Sequence, residues 1–183
     1  MKKIFLSVLM FLCACIPNYE KAPKIKDYSQ VPLLELPVNR VNIVSKVEAI
    51  EKLPHVENIM PLSPEKALKN WGLIRVRPNY QKNDKAEFII EKAQMIREEA
   101  PEKSWFVYDN YKYILSYEIK VQILDKDNNV LKSTAIEGFI SRKLPQKASV
   151  TQRDNMFAQM LSEMEDQLDK ETPKEFKENL LDL

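Results

Sequence analysis

Residues 111–123 read YKYILSYEIKVQI, with an apolar or aromatic side chain at every odd-numbered position and mainly polar side chains between them. Because successive side chains of a β-strand point to opposite faces of a sheet, this alternation predicts a strand with one buried face. Residues 125–129, DKDNN, predict a turn, since Asp and Asn tolerate left-handed backbone and cap their own turns. Val130 to Ile140 then predicts a returning strand, so the two strands should form an antiparallel hairpin.

Two further strands and a helix are predicted before this hairpin. One strand starts near Val41 and continues to Ala49, and the other runs from Ala86 to Ile96. Between them, Ser63-Pro64-Glu65 supplies an N-cap, a first-turn proline and an acidic residue, which together indicate the start of a helix. Arg77-Pro78 should stop that helix, because proline disfavours helical backbone at the residue before it.

A second helix is predicted to start at Ser149, where Gln152 completes a capping box three residues later. Its apolar residues recur at helical spacing and define one face: Met156, Phe157, Met160, Leu161, Met164 and Leu168. We expect this face to pack on the sheet. From Pro173 onward, the spacing of the apolar residues predicts a separate short helix as a C-terminal tail.

The predicted element order is therefore β-α-β-β-β-α, which indicates an α+β fold. We expect a two-layer sandwich, in which a four-stranded, mostly antiparallel sheet carries both helices on one face. Hydrophobic residues make up 44% of the chain, enough for one core. We place this single domain, including its helical tail, at residues 41–183.

The first fifteen residues show the three parts of a secretory signal. Lys2-Lys3 is followed by an almost wholly apolar run over residues 4–12, and then by Leu12-Cys13-Ala14-Cys15. The run is far shorter than the roughly 20 residues needed to cross a bilayer. Its end resembles the lipobox of a bacterial lipoprotein signal. The alternative is an ordinary signal peptide without lipidation, which the positions of Leu12 and Ala14 disfavour.

That resemblance implies that residues 1–14 are a lipoprotein signal peptide and that lipidation occurs at Cys15. Cys15 would carry a thioether-linked diacylglycerol and an acyl group such as palmitate on its amine. Residues 15–40 would then be a lipid anchor and a proline-rich tether, since proline favours extended backbone. Ile16, where inner-membrane lipoproteins often have Asp, favours the outer membrane, with the domain facing the periplasm.

Composition argues against several classes of function. The formal net charge is only +1, without the basic surplus typical of nucleic-acid-binding proteins. Cys13 leaves with the signal and Cys15 carries lipid, so we expect no intramolecular disulfide. A single histidine, His55, excludes a His-based metal cluster within one chain. Gly72 and Gly138 are the only glycines, too few for a glycine-rich phosphate loop. We therefore expect no cofactor, no metal, no catalytic residues and no enzymatic activity.

The segment Trp105-Phe106-Val107-Tyr108 is a candidate partner contact. Trp105, Phe106 and Tyr108 are aromatic residues of the kind that are enriched in interface hot spots. The simpler interpretation, which we favour, is that the segment begins a strand or covers an edge of the core.

Two rows of side chains could also be binding surfaces. Tyr111, Tyr113 and Tyr117 could stack on a sugar or a lipid headgroup, but such a row more often forms the core face of a sheet. The methionines of the second helix could form an adaptable binding stripe. We interpret both rows as core.

Four carboxylates of the second helix are close in sequence: Glu163, Glu165, Asp166 and Asp169. Glycoside hydrolysis needs two carboxylates held at a fixed separation across a cleft. No cleft is predicted, so we interpret this set as a solvated helix face. His55, in a proline-containing loop, is expected to be neither a base nor a ligand.

Several of these segments together carry a family resemblance. Pro61 to Ala67, then Trp71, the tyrosine-led hairpin and residues 148–153 (ASVTQR) before Met164 and Leu168 resemble a group of poorly characterised lipoproteins of alphaproteobacteria. The likeness covers roughly Val41 to Glu171. The chain departs from this group in its lysine-rich composition and in an insert-like loop at Pro101 to Asn110.

More distantly, the element order resembles the LPS-assembly lipoprotein (LptE-like) fold and the auxiliary lipoproteins of ABC-type lipid transport. These resemblances imply a non-catalytic accessory or scaffold subunit of an envelope assembly or lipid-transport complex. The partner would be an envelope protein such as an outer-membrane barrel or a transport system. The alternative is a periplasmic module that binds a lipid or glycan between the sheet and the helices.

Overall fold

The computed structural model describes residues 31–100 and 110–181 of the chain. Within these residues the elements, in chain order, are β1 (Leu34–Leu36), β2 (Arg40–Ser45), a 3-10 turn (Glu57–Ile59), α1 (Pro64–Arg75), β3 (Val76–Pro78), β4 (Lys85–Ala100), β5 (Asn110–Leu124), β6 (Val130–Pro145) and α2 (Val150–Asn179).

Four strands form the main sheet, in the order β2-β4-β5-β6. The β4–β5 and β5–β6 pairs are antiparallel, whereas β2 runs parallel to β4. The parallel pair arises because α1 lies between β2 and β4 in the chain, and parallel neighbours need a long crossover connection. The predicted α+β sandwich is confirmed, with a mixed sheet. β1 and β3 add a separate two-stranded parallel sheet that was not predicted.

Both helices cover the same face of the main sheet. Trp71 of α1 lies against Phe88 of β4, with ring centroids 5.9 Å apart. Phe157 of α2 meets Tyr113 of β5 edge to face at 5.4 Å. Gly72 permits the close approach of α1, because a Cβ there would lie 3.1 Å from Ile43 Cδ1. The core therefore sits between this inner face and the two helices.

The predicted helix starts and the hairpin are confirmed. The Ser63 hydroxyl accepts from the Lys66 N–H, and Ser149 and Gln152 form both bonds of the capping box. The predicted turn joins β5 to β6, with Asn128 in left-handed backbone at φ 68°. β6 continues to Pro145, beyond the predicted end at Ile140, because it stays paired with β5 throughout.

The packed part of the chain begins earlier than the expected start near Val41. Leu36 and Val38 are fully buried, and their carbonyl groups accept hydrogen bonds from the backbone N–H groups of Asn79 and Tyr80. The end of the predicted tether is therefore part of the domain. The strand predicted to reach Ala49 ends at Ser45.

The helical tail predicted from Pro173 onward is confirmed to Asn179, but it is a continuation of α2, which passes through this proline, and not a separate helix. Phe176 and Leu180 are each 1% exposed, so burial holds the last turns of the helix against the sheet. Proline removes a single helical hydrogen bond and adds a local clash, which this packing offsets.

None of the helices in the described part of the chain is both long enough and apolar enough to cross a membrane.

Candidate functional site

The residues that the sequence singled out as sites lie outside the described residues. Cys15 precedes residue 31, and Trp105, Phe106 and Tyr108 fall between residues 100 and 110. Lipidation of Cys15 and partner contact by the aromatic segment therefore stay predictions. The described residues offer a different candidate surface.

That surface is part of the main-sheet face turned away from both helices, and it lies around Ile114 of β5. We call it the open face, and it comprises outward side chains of β4, β5 and β6: Lys92, Ile96, Ile114, Ser116, Glu118, Glu137 and Phe139. Phe139 is 73% exposed, although it is a large aromatic residue. Its position follows from strand alternation, since Ile136 and Ile140 of the same strand are buried on the inner face.

Apolar and charged residues lie in adjacent rows across the open face. Ile96 is paired with Ile114, which is a diagonal neighbour of Phe139. Phe139 is paired with Ser116 in the next row, and in the row after that Glu118 stands directly opposite Lys92 on one side and Glu137 on the other. The open face thus combines an exposed ring and two isoleucines with a row of three charges.

A groove of about 550 Å³ joins these rows and reaches the outer edge of β6. Ser116, Glu118, Glu137 and Phe139 line it on the open face, and Glu171 lines it from α2. A smaller groove of about 260 Å³, also lined by Glu137 and Glu171, continues along β6 toward Glu175. Among the described residues, no strand pairs with the outer edge of β6. We call the larger groove the edge groove.

Gly138 and Tyr117 shape the inner wall of the edge groove. A Cβ at Gly138 would lie 2.5 Å from Tyr117 Cζ, so only glycine leaves room for this tyrosine ring. Tyr117 Oη donates to Gln167 Oε1 of α2 at 3.0 Å. Burial, and then the Glu171 carboxylate, raises the pKa of Tyr117 to about 12. The phenol therefore remains a protonated hydrogen-bond donor at neutral pH.

The interpretation of the methionine row as core is confirmed, as is that of the tyrosine row for Tyr113 and Tyr117, while Tyr111 is partly buried and packs against the core. Tyr113 and Tyr117 are each 2% exposed. The methionines at the inner face of α2, Met156, Met160 and Met164, are at most 5% exposed. These side chains fill the space between the sheet and α2.

The interpretation of the acidic helix face as solvated fails for Asp169. Its Oδ1 accepts from Arg75 Nε at 2.8 Å and from Trp71 Nε1 at 3.0 Å. Arg75 is 1% exposed, and its Nη1 also donates to the carbonyl groups of Val31 and Pro32. This Arg75 node joins α1, α2 and the segment that enters the domain. A buried cation needs such partners, and the sequence offered no local sign of them.

Elsewhere on the acidic face, Asp166 is exposed, and Glu163 is partly exposed and pairs with Arg142.

The single histidine, His55, contacts Glu57 and pairs with β4. His55 Nδ1 lies 3.3 Å from Glu57 Oε1, which also accepts the backbone N–H of Met95 at 2.7 Å. His55 forms an isolated bridge with Ile96, so this segment extends the sheet beside β4. Within residues 31–100 and 110–181, no group of three or more His, Cys, Asp or Glu residues is placed to hold a metal ion.

Comparison with known proteins gives only distant structural likenesses. No family model matches the chain, and no curated protein matches it. A minor lipoprotein from Acinetobacter baumannii is 12% identical, with a TM-score of 0.40, over 76% of this chain and 92% of that one. An uncharacterised lipoprotein B from Nitrosomonas europaea is 19% identical, with a TM-score of 0.41, over 82% and 91%. The rare lipoprotein B from Shewanella oneidensis is 13% identical, with a TM-score of 0.36, over 72% and 89%.

All three solved structures are described as lipoproteins. At these identities and TM-scores the likenesses carry no argument about activity or partners. The resemblance to LptE-like proteins stays a prediction.

Proposed function

We propose that the chain is a lipid-anchored envelope protein that acts as a non-catalytic accessory or scaffold subunit and binds a protein partner through its open face. One observation carries this proposal: Phe139, 73% exposed, stands beside the edge groove on a sheet face that no described helix covers. Exposed aromatic residues in such positions are typical anchors of protein interfaces.

The chemistry of the open face suits a protein partner. Phe139 and Ile114 provide apolar area whose burial stabilises a complex by roughly 25 cal/mol per Å². The row of Lys92, Glu118 and Glu137 supplies charges at the rim that select among partners. An apolar centre with a charged rim is the usual arrangement of a protein interface.

The predicted anchor adds to this proposal. Lipid at Cys15 would hold the domain close to the membrane, and the proline-rich tether would set its reach. Both raise the effective concentration of the domain near a membrane-embedded partner. An outer-membrane barrel or a transport system is the class of partner that we propose.

The alternative, a lipid or glycan held between sheet and helices, is less well supported. Tyr117, Phe157 and Met160 fill that space and are each at most 2% exposed. A ligand there would have to displace packed core side chains, at a cost of several kcal/mol.

In-cell photo-cross-linking tests the proposed function. The photoreactive amino acid p-benzoylphenylalanine replaces Phe139 in the anchored full-length protein, and in a control it replaces Glu178, an exposed residue of α2. We expect an envelope protein to be captured at position 139 and not at position 178. Equal capture at both positions, or none at position 139, would contradict the proposal.

A further inference from the structure

The two carboxylates in the open face stand in an unfavourable arrangement. Glu118 and Glu137 are directly opposite each other on neighbouring strands. Like charges at such positions destabilise a sheet. No ion pair between described residues includes either carboxylate. A cation between them would relieve the repulsion.

Phe139 lies two residues from Glu137 on the same face and lines the same groove. The face of an aromatic ring attracts a cation, and carboxylates accept charge-assisted hydrogen bonds from guanidinium or ammonium groups. Ring and carboxylates together therefore form a receptor for the side chain of arginine or lysine.

The position of this receptor at a strand edge indicates the form of the ligand. β6 is the last strand of the sheet, and its backbone can pair with an added strand. Carboxylates lie on both sides of this edge: Glu137 is on the open face, whereas Glu171 and Glu175 reach the edge from α2, with Lys174 beside them. An extended segment with basic residues at alternate positions would place them on the open-face side, toward Glu118 and Glu137, since strand side chains repeat every two residues.

We propose that the occupant of the edge groove is an extended basic segment of the partner protein, which pairs with the outer edge of β6 and inserts an arginine or lysine between Phe139 and the two carboxylates. This inference rests on the proposed function and names the chemistry of the partner. The charge of the groove decides between occupants: its lining sets one cation, Lys92, against three carboxylates, Glu118, Glu137 and Glu171, so an anionic lipid surface would be repelled.

The test again uses p-benzoylphenylalanine in the anchored full-length protein. One chain carries it at position 139, and a second carries it in place of Val44, at the opposite edge of the same sheet face. Each is also combined with Glu118→Gln and Glu137→Gln. The control is Glu98→Gln, which removes a carboxylate from the same face outside the edge groove.

We expect the cross-linked peptide at position 139 to contain lysine or arginine next to the attachment point. The double Gln variant should lower the yield there roughly tenfold, because charge-assisted bonds to the partner are lost. Glu98→Gln should leave the yield unchanged. In a charge swap, the partner's basic residue is replaced with glutamate and Glu137 with arginine. A restored cross-linking yield would confirm the pairing.

Two results would overturn this inference while the proposed function stands: a partner peptide without basic residues, or a yield unaffected by the double Gln variant. A partner captured at position 44 only would overturn both this inference and the proposed function. A cross-linked peptide from a second copy of this chain, or lipid at position 139, would also overturn this inference. Failure of both positions to capture any protein would overturn the proposed function itself.

Discussion

Tyr117 holds its phenolic proton unusually tightly, since burial and the Glu171 carboxylate raise its pKa to about 12. In the unfolded chain the same group titrates near pH 10, so between these values the unfolded state binds fewer protons than the folded state. The contribution of Tyr117 to the free energy of unfolding is therefore fully present below pH 10. It should fall by about 2–3 kcal/mol as the pH rises to about 12.

Urea unfolding at about pH 9 and about pH 11.5 measures this loss. The Tyr117→Phe variant should be less stable at pH 9, because it loses the bond to Gln167, yet it should show a smaller alkaline loss. Tyr80→Phe is the control, since Tyr80 is 71% exposed. An identical alkaline loss in the wild type and Tyr117→Phe would refute the assignment.

Arg75 should contribute measurably to the free energy of unfolding. Arg75→Met would remove the buried guanidinium that donates to Asp169 and to the carbonyl groups of Val31 and Pro32, so we expect a loss of about 3–5 kcal/mol in the free energy of unfolding. Arg77→Met, an exposed neighbour, should change it by less than about 0.5 kcal/mol. The double variant Arg75→Met with Asp169→Leu should recover much of the loss, because no unpaired charge remains buried.

Urea denaturation followed by tryptophan fluorescence gives these values, since Trp71 is buried beside the node. Equal effects of Arg75→Met and Arg77→Met would show that the node contributes little to stability.

At the scale of elements, α2 contains Pro173 in its interior, a position where proline disfavours helical backbone. Pro173→Ala restores a backbone hydrogen bond and removes a clash within the helix, so we expect a gain of about 1–3 kcal/mol in the free energy of unfolding. Pro64→Ala should give no gain, because Pro64 occupies the first helical turn of α1, where proline is favoured. Thermal unfolding by circular dichroism compares the two. A destabilised Pro173→Ala variant would contradict the prediction.

The β5–β6 hairpin could be predicted from the sequence, whereas the short parallel sheet of β1 and β3 could not. β5 and β6 alternate over their full length and are joined by a recognisable turn, so their pairing could be predicted from local pattern. β1 and β3 have three residues each, too few for a periodic signal, and they pair next to the bond from Arg75 of α1 to the carbonyl group of Val31.

At the scale of the whole molecule, the predicted lipid anchor should hold the protein at the membrane. Cys15→Ala should move the folded protein from the membrane fraction to the soluble fraction, since the acyl chains would be lost. Cys13→Ala should leave it in the membrane fraction, because Cys13 lies in the predicted signal peptide. Cell fractionation with immunoblotting measures both. A Cys15→Ala protein that stays fully membrane-bound would disprove the lipid anchor.

Sequence by itself determined the features that depend on a few neighbouring residues. The caps at Ser63 and Ser149, the β5–β6 hairpin and the inward tyrosines follow from backbone chemistry and side-chain alternation, and the structure confirms them. Together they were enough to identify the α+β class. The lipidation site also rests on local sequence alone.

Tertiary structure alone decided which distant residues meet. Arg75 and Asp169 are 94 positions apart, and Glu118 and Glu137 become neighbours only through the register of the hairpin. The same holds for Phe139, whose exposure depends on both helices packing on the other face of the sheet. Local patterns report which side of an element is apolar, whereas the choice of partner depends on packing summed over the whole chain, so the candidate surface could not be found from the sequence.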